Sequence, residues 1–217
     1  MTATPGIRIH LGDKRTRKQS SVHEQLHGLS DTFELLTAFD EVLLKPGSTI
    51  SYTLKEEGLF FLLPVVGKSE VIYENKCIID VGNLYFTNTK AGTQIQITNP
   101  YQTEWTNFMW WELTGSRGEG MVLEEFDLKA STNNLVRVFK GSVGESRVAI
   151  RLGMFDGRST GELSLPNASH FIFVLEGAFE VQNRLLQMRD GLSLPACLHL
   201  EFEALSNNAI LLIVSQF

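Results

Sequence analysis

The sequence predicts an all-β protein that consists of two β-barrels in tandem. Segments rich in β-branched and aromatic residues recur along the chain, with turn signals about 8–12 residues apart. No segment as long as a typical helix shows a clean helical period. One pattern of strands and glycines also occurs twice, once in each half of the chain. These three observations favour a duplicated β-barrel over any helical or mixed fold.

Length and composition place the chain among globular proteins. Its 217 residues allow one large or two small domains and are enough to bury a hydrophobic core. Charged residues make up 20%, and the net charge of -6 argues against a protein that coats nucleic acid. The basic run Lys14, Arg15, Arg17 and Lys18 is interpreted as a solvated arm, because no aromatic residues are interleaved with it.

The sequence lacks the usual signals for membranes, secretion and disulfide chemistry. No apolar run approaches the roughly 18 residues of a transmembrane helix, and the N-terminal segment has no apolar leader region. The cysteines, Cys77 and Cys197, are too few for a disulfide framework or a zinc cluster. We therefore expect a cytoplasmic protein with reduced thiols and no membrane partner.

Seven strands are predicted in the first half of the chain. Pro46-Gly47 and Gly58 mark turns between strands that are rich in Leu, Phe, Val and Thr. Trp110 and Trp111 lie in a strand with bulky residues on both parities, which predicts burial on both faces. The predicted strands are Phe33–Leu44, Thr49–Leu54, Leu59–Val66, Ser69–Tyr73, Leu84–Thr87, Gln94–Thr98 and Thr106–Leu113.

Strands resume in the second half after a different segment. Met121–Ala130 is mixed and charged, and it is interpreted as a linker between the two barrels. The segments that follow are again short, apolar and bounded by turn residues. The predicted strands are Leu135–Phe139, Arg147–Met154, Ser169–Leu175, Phe179–Gln182, Leu192–Leu194, Leu198–Ala204 and Ala209–Val214.

The internal repeat defines the domain organisation. The segment Phe60–Gly67 resembles Phe171–Gly177, and each is followed by a short strand and then by an aspartate and a glycine. The two glycines are interpreted as strand ends that need an unusual backbone conformation. Two copies are too few for a solenoid, which needs at least about three repeats. We therefore predict an N-terminal barrel in residues 1–120 and a C-terminal barrel in residues 121–217.

The order of several short motifs resembles the pirin family of bicupins. Leu36–Gly47 is similar to the family's first strand and its turn, and Ala91-Gly92-Thr93 to the segment before its second metal motif. Glu125-Phe126-Asp127 resembles the family's linker, and the chain from Phe171 onward resembles its C-terminal cupin. The resemblance, which includes the quercetin 2,3-dioxygenase-like bacterial members, implies two tandem cupin-type, jelly-roll barrels.

The metal-binding positions that this resemblance implies carry no suitable ligands. Family members bind an iron-type metal in the N-terminal cupin through a His-x-His pair and a His-x-Glu pair. Those positions fall on Thr53 and Lys55 and on Ile97 and Asn99. Such a site needs imidazoles and an anionic oxygen that converge on one point, and a protonated lysine has no lone pair to offer. We therefore expect a degenerate site with no metal and no other cofactor.

The histidines elsewhere do not restore a metal site in this interpretation. His23 and His27 are spaced i, i+4 and lie together if His23–Leu29 forms one turn of helix, but no third ligand is evident. They are interpreted as part of a polar surface segment. His170 and His199 lie in the second barrel, and whether that barrel carries any site at them is left open.

Three functions remain compatible with these residues. The first is a metal-free, non-catalytic bicupin that binds a small ligand or a protein partner, with Thr53, Lys55, Ile97 and Asn99 as its ligand-binding residues. The second is a metal-dependent dioxygenase of the quercetin 2,3-dioxygenase and pirin type, and the third is a metal-free cupin enzyme such as an isomerase that uses Lys55 as its base. The ligand, the biological process and the oligomeric state stay open.

Strand alternation predicts the direction of the Lys55 side chain. Thr53 and Lys55 share one face of their strand, while Tyr52 and Leu54 share the other. The matching family positions face the barrel interior, so Lys55 points inward if the barrel keeps its cavity. The alternative is that Lys55 reaches out to solvent and that Phe and Leu side chains fill the cleft. An inward ammonium would favour an anionic ligand, because surrounding apolar walls focus its charge.

Overall fold

A computed structural model describes residues 6–28, 35–115 and 122–217 of the chain. Within them the regular structure is nineteen strands and one short 3-10 turn, Gly12–Lys14, so the all-β prediction is confirmed. No helix in the described ranges is long and apolar enough to cross a membrane.

The first strands are β1 (Arg8–His10), β2 (Thr16–Gln19), β3 (His23–His27), β4 (Leu36–Leu44), β5 (Thr49–Thr53), β6 (Gly58–Val66), β7 (Ser69–Tyr73), β8 (Asn75–Ile79), β9 (Asn83–Thr89), β10 (Gln94–Thr98) and β11 (Thr106–Thr114). The others are β12 (Val122–Glu125), β13 (Asn134–Val143), β14 (Ser146–Phe155), β15 (Thr160–Glu176), β16 (Ala178–Val181), β17 (Arg184–Gln187), β18 (Gly191–Ala204) and β19 (Ala209–Gln216).

The described residues divide into two compact units. The N-terminal unit contains those of residues 15–126 together with 143–145, and the C-terminal unit contains 6–14, 127–142 and 146–217. The predicted boundary at residues 120 and 121 lies outside the residues that the structure describes.

Two antiparallel sheets form the N-terminal unit. The larger has the strand order β12-β9-β6-β11-β4-β3-β2, and the smaller has the order β5-β10-β7-β8. In the ladder of β4, β11 and β6, Val42, Phe108 and Leu62 fall on the same face because side chains alternate along each strand. That face packs against Ile50 and Ile97 of the smaller sheet to form the core.

Strand β11 is buried on both faces, as the sequence predicted. On one face Phe108 and Trp110 join the core of the N-terminal unit. On the other face the Trp111 ring stacks on Phe61, with ring centroids 5.3 Å apart and planes 6° from parallel. Phe39 adds a second ring contact to Trp111 at 5.8 Å. The run of bulky residues in this strand is therefore explained by packing against two layers.

One eight-stranded sheet forms the C-terminal unit, and its two longest strands shape it. β15 has 17 residues and β18 has 14, and they pair along two stretches separated by two register shifts, one between Ser164 and Ala168 and one between Ala168 and His170. Such irregularities bend and twist paired strands, which lets one sheet curl around its own core. The sequence predicted β15 only from Ser169 onward, because Thr160–Ser164 carries little apolar signal.

The glycines of the repeat have the backbone conformation that their interpretation required. Gly67 has φ of 72° and Gly177 has φ of 74°, in the left-handed region that side chains disfavour. A Cβ added to Gly67 would lie 2.9 Å from the Tyr101 ring, and one on Gly177 would lie 2.3 Å from Ser206 Oγ. Both positions therefore need glycine for two reasons, conformation and close packing.

Two local predictions are wrong. The segment that begins at His23 was expected to form a helical turn, but it is the strand β3. This strand pairs with β4, with His27 opposite Asp40. Within the expected linker, Val122–Glu125 forms strand β12, which pairs with β9. In both cases backbone pairing with a strand distant in sequence outweighs the weak local preference.

The basic run near the N-terminus is also not uniformly solvated. The Arg15 side chain is only 5% exposed, and its Nη1 lies 3.0 Å from Oε2 of Glu41, which is equally buried. Arg15 Nη2 donates to the Leu26 carbonyl over 2.8 Å, and Asn107 Nδ2 donates to Glu41 Oε1 over 3.2 Å. Lys14 stays exposed as expected. A buried ion pair thus holds the start of this unit against β3 and β4.

Substitution of Arg15 alone is expected to be strongly destabilising. Arg15→Met leaves the buried Glu41 carboxylate without its cation, which should lower the free energy of unfolding by about 3–5 kcal/mol. The double variant Arg15→Met/Glu41→Leu should recover most of that loss, because no buried charge remains unpaired. Arg17→Met, which breaks the exposed 2.7 Å pair with Glu24, is the control and should cost no more than about 1 kcal/mol. Urea denaturation measures all three, and equal losses in the Arg15 and Arg17 variants would contradict the expectation.

Candidate functional site

A cleft of about 680 Å³ opens into the N-terminal unit. Strands β3, β4, β5 and β11 form its walls. His27 pairs with Asp40, and Asp40 pairs in turn with Trp110, so alternation places Gln25, His27, Asp40, Trp110 and Glu112 on one face. This face is the one that forms the apolar core further along the same strands. The cleft is therefore the polar end of the barrel interior.

Asp40 is the best-anchored polar group in the cleft. The residue is 5% exposed, and it accepts hydrogen bonds on both carboxylate oxygens. Gln25 Nε2 donates to Oδ2 over 2.6 Å, the backbone N–H of Gly28 donates to Oδ1 over 2.9 Å, and His27 Nδ1 lies 3.3 Å from Oδ1. These contacts fix the orientation of the Asp40 carboxylate and hold it against the His27 ring.

Two aromatic rings, one from each sheet, pack against each other in the cleft. The Tyr52 ring lies 4.4 Å from the Trp110 ring between centroids, and Trp110 packs on Phe60 at 5.8 Å. Burial raises the pKa of the Tyr52 hydroxyl far above its ordinary value, and the Asp40 charge raises it further. The hydroxyl is therefore protonated at any physiological pH and available as a hydrogen-bond donor.

Three side chains of the cleft carry buried polar atoms that make no hydrogen bond of ordinary geometry among the described residues, although the Tyr52 hydroxyl and the Trp110 side chain also interact with each other. These atoms are His27 Nε2, Tyr52 Oη and Trp110 Nε1. A buried polar group that lacks a partner costs about 1–3 kcal/mol, so three of them around one cleft are unusual in a native protein. Small adjustments of these side chains would let a molecule in the cleft satisfy them.

Glu112 is a carboxyl group with an altered proton affinity. Burial and then the neighbouring Asp40 charge raise its pKa from 4.5 to about 7, with a smaller contribution from Glu56 and an opposing one from Lys55. The group is therefore close to half-protonated at neutral pH. A carboxyl that can both donate and accept a proton in a cleft is a frequent feature of binding and catalytic sites.

The structure does not bring the four sequence-predicted site residues together. Thr53 and Lys55 line the cleft but are exposed. Ile97 is fully buried in the apolar core. Asn99 is fully buried and its amide is used internally, because Nδ2 donates to the Leu44 and Glu104 carbonyls and Oδ1 accepts from the Tyr101 backbone.

Lys55 lines the cleft and is exposed, so the structure does not bury it among the inward-facing residues of this segment. Ile50 and Leu54 are the buried residues of this segment, with Tyr52 partly buried between them. The inward face of β5 is thus the even-numbered one, opposite in parity to the face predicted from motif spacing. A shift of one residue moves every side chain of a strand to the other face, so this difference exchanges Thr53 and Lys55 for Tyr52 and Leu54.

The residues at the family's metal positions do not fit a metal ion of the iron type. A threonine hydroxyl and an ammonium at the surface, an isoleucine in the core and an amide with its hydrogen bonds already made offer no converging donor set. Elsewhere in ranges 6–28, 35–115 and 122–217, no group of three or more His, Cys, Asp or Glu side chains is arranged to hold a metal ion.

Sequence reasoning missed the residues that dominate the cleft. The spacing of His23 and His27 predicts one turn of a helix. His23, Gln25 and His27 also alternate along the segment, each two residues from the next, which places all three on one face of a strand. That alternation was the available signal. Nothing local distinguished Asp40 and Glu112 from surface carboxylates, because their burial depends on strands that pair across the sheet.

The comparisons with known proteins agree with this architecture. Residues 145–213 match the family model described as the quercetinase C-terminal cupin domain. Bacterial pirin YhhW from Escherichia coli, solved in complex with nickel(II), is similar with a TM-score of 0.80 and 12% identity, over 96% of this chain and 98% of that one. Quercetin 2,3-dioxygenase from Acinetobacter baumannii is similar with a TM-score of 0.71 and 11% identity, over 96% and 85%.

A third solved structure is similar to this chain over most of its length. YhaK from Escherichia coli has a TM-score of 0.72 and 15% identity, and the match covers 93% of each chain. No curated protein matches the sequence. Likeness at such low identity shows the fold, and it confirms the predicted bicupin of two jelly-roll domains.

The pH dependence of stability is expected to report on Glu112. Between pH 4.5 and about 7 the folded protein holds a proton on Glu112 that the unfolded chain has released. Stability should therefore fall as the pH rises through this window and level off above it. Glu112→Gln removes the titration, so this variant should gain about 2 kcal/mol relative to wild type between pH 5 and pH 8.

Thermal or urea denaturation at several pH values measures this difference. Glu57→Gln is the matched control, because Glu57 is an exposed glutamate of the same unit that does not line the cleft. A constant difference between wild type and Glu112→Gln across the window would show that the Glu112 carboxyl is not held protonated by the fold.

Proposed function

From the pirin-type bicupin fold of this chain and its quercetinase C-terminal cupin domain, we propose that the protein binds a small organic molecule in the N-terminal cleft without a metal. The resemblance to the family assigns its four metal positions to Thr53, Lys55, Ile97 and Asn99, and none of these residues is a metal ligand of the iron type. In this proposal the cleft acts as a binding site and the protein is not a dioxygenase.

The observation that carries the proposal is the set of unpartnered polar atoms in the cleft wall. His27 Nε2, Tyr52 Oη and Trp110 Nε1 come from three different strands and line the same space. An empty apolar cavity requires no such groups, and a purely structural core would satisfy them internally. A bound molecule that supplies hydrogen-bonding partners accounts for all three at once.

The charges around the cleft favour a neutral or cationic ring as the ligand. The carboxylates of Asp40, Glu56 and Glu112 outnumber the ammonium of Lys55. Carboxylates that share a low-dielectric cleft repel an anion and attract a cation. The faces of Tyr52 and Trp110 suit a flat ring, and their rings attract a positive charge as well. This chemistry replaces the anionic ligand that an inward-facing Lys55 implied.

Three probes of similar size are expected to bind with different affinities. Catechol is neutral, benzamidine is cationic and benzoate is anionic at neutral pH. We expect benzamidine and catechol to bind the wild-type protein at least tenfold more tightly than benzoate, for the electrostatic reason just given. Calorimetric titration measures the affinities, and quenching of tryptophan fluorescence gives an independent signal from Trp110.

Variants test whether the cleft is the binding site. Tyr52→Phe removes one unpartnered atom and should weaken binding of catechol by about two- to tenfold. Tyr73→Phe is the matched control, because Tyr73 is partly buried in the same unit and does not line the cleft. The proposal fails if the two variants bind equally, if benzoate binds as tightly as the other probes, or if none of the three binds saturably.

Metal content and oxygen chemistry are expected to be absent. Purified protein should contain far less than one equivalent of iron, nickel, copper or zinc, because the positions that would coordinate a metal offer no ligand set. Quercetin with added iron(II) or nickel(II) should give no oxygen consumption above the rate without protein. Stoichiometric metal in the N-terminal unit, or metal-dependent oxygen uptake, would favour the dioxygenase alternative instead.

A metal-free enzyme is the second candidate function, and one arrangement favours it. The His27–Asp40 pair lies in the same cleft as Glu112, whose pKa is raised to about 7. A half-protonated carboxyl near an oriented imidazole can move a proton between two positions of a substrate. Deuterium exchange next to the carbonyl of small ketones, followed by NMR, tests this activity. Exchange that Glu112→Gln and His27→Gln both abolish would make the protein an acid–base catalyst, and exchange at the solvent rate would exclude the candidate.

A further inference from the structure

The C-terminal unit repeats the ladder that forms the cleft wall, but with different side chains. In the N-terminal unit β4, β11 and β6 lie side by side, with Asp40 opposite Trp110 and Glu112 opposite Phe60. In the C-terminal unit β14, β19 and β15 have the same arrangement. Arg151 lies opposite Ile213, and Ser215 lies opposite both Ala149 and His170.

The repeat makes these positions equivalent to the polar end of the first barrel. Ala38 lies opposite Glu112 in the N-terminal unit, and Ala149 lies opposite Ser215 in the C-terminal unit, so the two alanines occupy equivalent positions. Counted from those alanines, Arg151 stands where the N-terminal unit has Asp40. The acidic residues of the first barrel are thus replaced by a cation and a hydroxyl in the second.

The polar groups at this position are buried and incompletely paired. His170 is fully buried, and its Nδ1 lies 3.0 Å from Ser215 Oγ. Among the residues that the structure describes, its other nitrogen, Nε2, has no hydrogen-bond partner, and neither has Nη1 of Arg151, although both atoms are buried. Ile172 and Ile213, one pair further along the ladder, belong to the apolar core. The unpaired donors therefore lie at the boundary between the core and the end of the barrel.

The charge of Arg151 is also not balanced by a carboxylate. The Arg151 pKa is lowered by burial and by the neighbouring Arg137, and the His170 pKa is lowered to about 4 by burial and by Arg151. Within the described residues no ion pair involves Arg151. Arg151 is partly buried, and a partly buried guanidinium without a carboxylate partner is suited to bind an anion.

We propose that Arg151, His170 and Ser215 form an oxyanion-binding site in the C-terminal unit. The guanidinium offers parallel N–H donors that match the two oxygens of a carboxylate or of a phosphate edge. His170 is neutral, and when the Ser215 hydroxyl donates to Nδ1 the imidazole carries its proton on Nε2. Ser215 then fixes the tautomer and orientation of the imidazole, and the donors that face the oxyanion are the Arg151 guanidinium and the His170 Nε2–H. The site is independent of the N-terminal cleft, whose carboxylates select against anions.

Anion-dependent stabilisation is the direct test. Titration of the full-length protein with acetate or with inorganic phosphate, at constant ionic strength, should raise its melting temperature saturably with at least one of the two anions. Acetate represents a planar carboxylate and phosphate a tetrahedral oxyanion, so the stronger response identifies the preferred shape. Arg151→Met should weaken this response at least tenfold. Arg137→Met, which removes an exposed arginine of the neighbouring strand, should change it less than threefold.

A spectroscopic readout keeps the test decisive if Arg151→Met fails to fold. NMR titration of the histidine rings in the wild-type protein should show that the effective anion raises the His170 pKa and shifts its Nε2 signal. His10 and His199 of the same unit are internal controls and should not change. The proposal is overturned if neither anion gives a saturable response, if Arg151→Met and Arg137→Met respond alike, or if the His170 signals are unaffected at saturation.

Discussion

The ladder of β4, β11 and β6 is the constraint on which the rest of the N-terminal unit depends. Antiparallel pairing fixes which residues are opposite one another, and alternation fixes which of them face inward. One register therefore places Val42, Phe108 and Leu62 in the core and Asp40 and Glu112 at its polar end. Apolar burial along most of the ladder stabilises the arrangement that also holds the carboxylates close together.

Strand register and alternation act in the same way in both halves of the chain. They place acidic side chains at the polar end of the first ladder and a basic side chain at the polar end of the second. In the first half the inward positions carry Asp40 and Glu112, and in the second half the equivalent strands carry Arg151 and Ser215. Duplication preserves the backbone pattern because the core depends on it, whereas the polar end of each barrel is free to change. A bicupin can in this way carry two binding sites of different chemistry on one repeated scaffold.

The metal chemistry implied by the resemblance and the binding that we propose for this cleft would be two uses of one barrel interior. Where metal-binding cupins need imidazoles and a carboxylate, the inward face here carries Tyr52, Leu54 and Ile97. The His27–Asp40 pair and the Tyr52–Trp110 pair lie in the cleft beside that apolar region. Hydrogen-bond donors, acceptors and ring faces recognise a small organic molecule without the aid of a metal.

Local patterns in the sequence were sufficient for most of the strands, the duplication and the glycine turns at Gly67 and Gly177. Composition, period and turn residues are properties of short segments, and they survive without knowledge of the fold. The parity of Thr53 and Lys55, the strand at His23–His27 and the burial of Arg15 against Glu41 were decided only by tertiary structure. Each depends on the register between strands far apart in the chain, and a shift of one residue reverses every side chain. The identity of the cleft residues is therefore a property of pairing, which no local signal encodes.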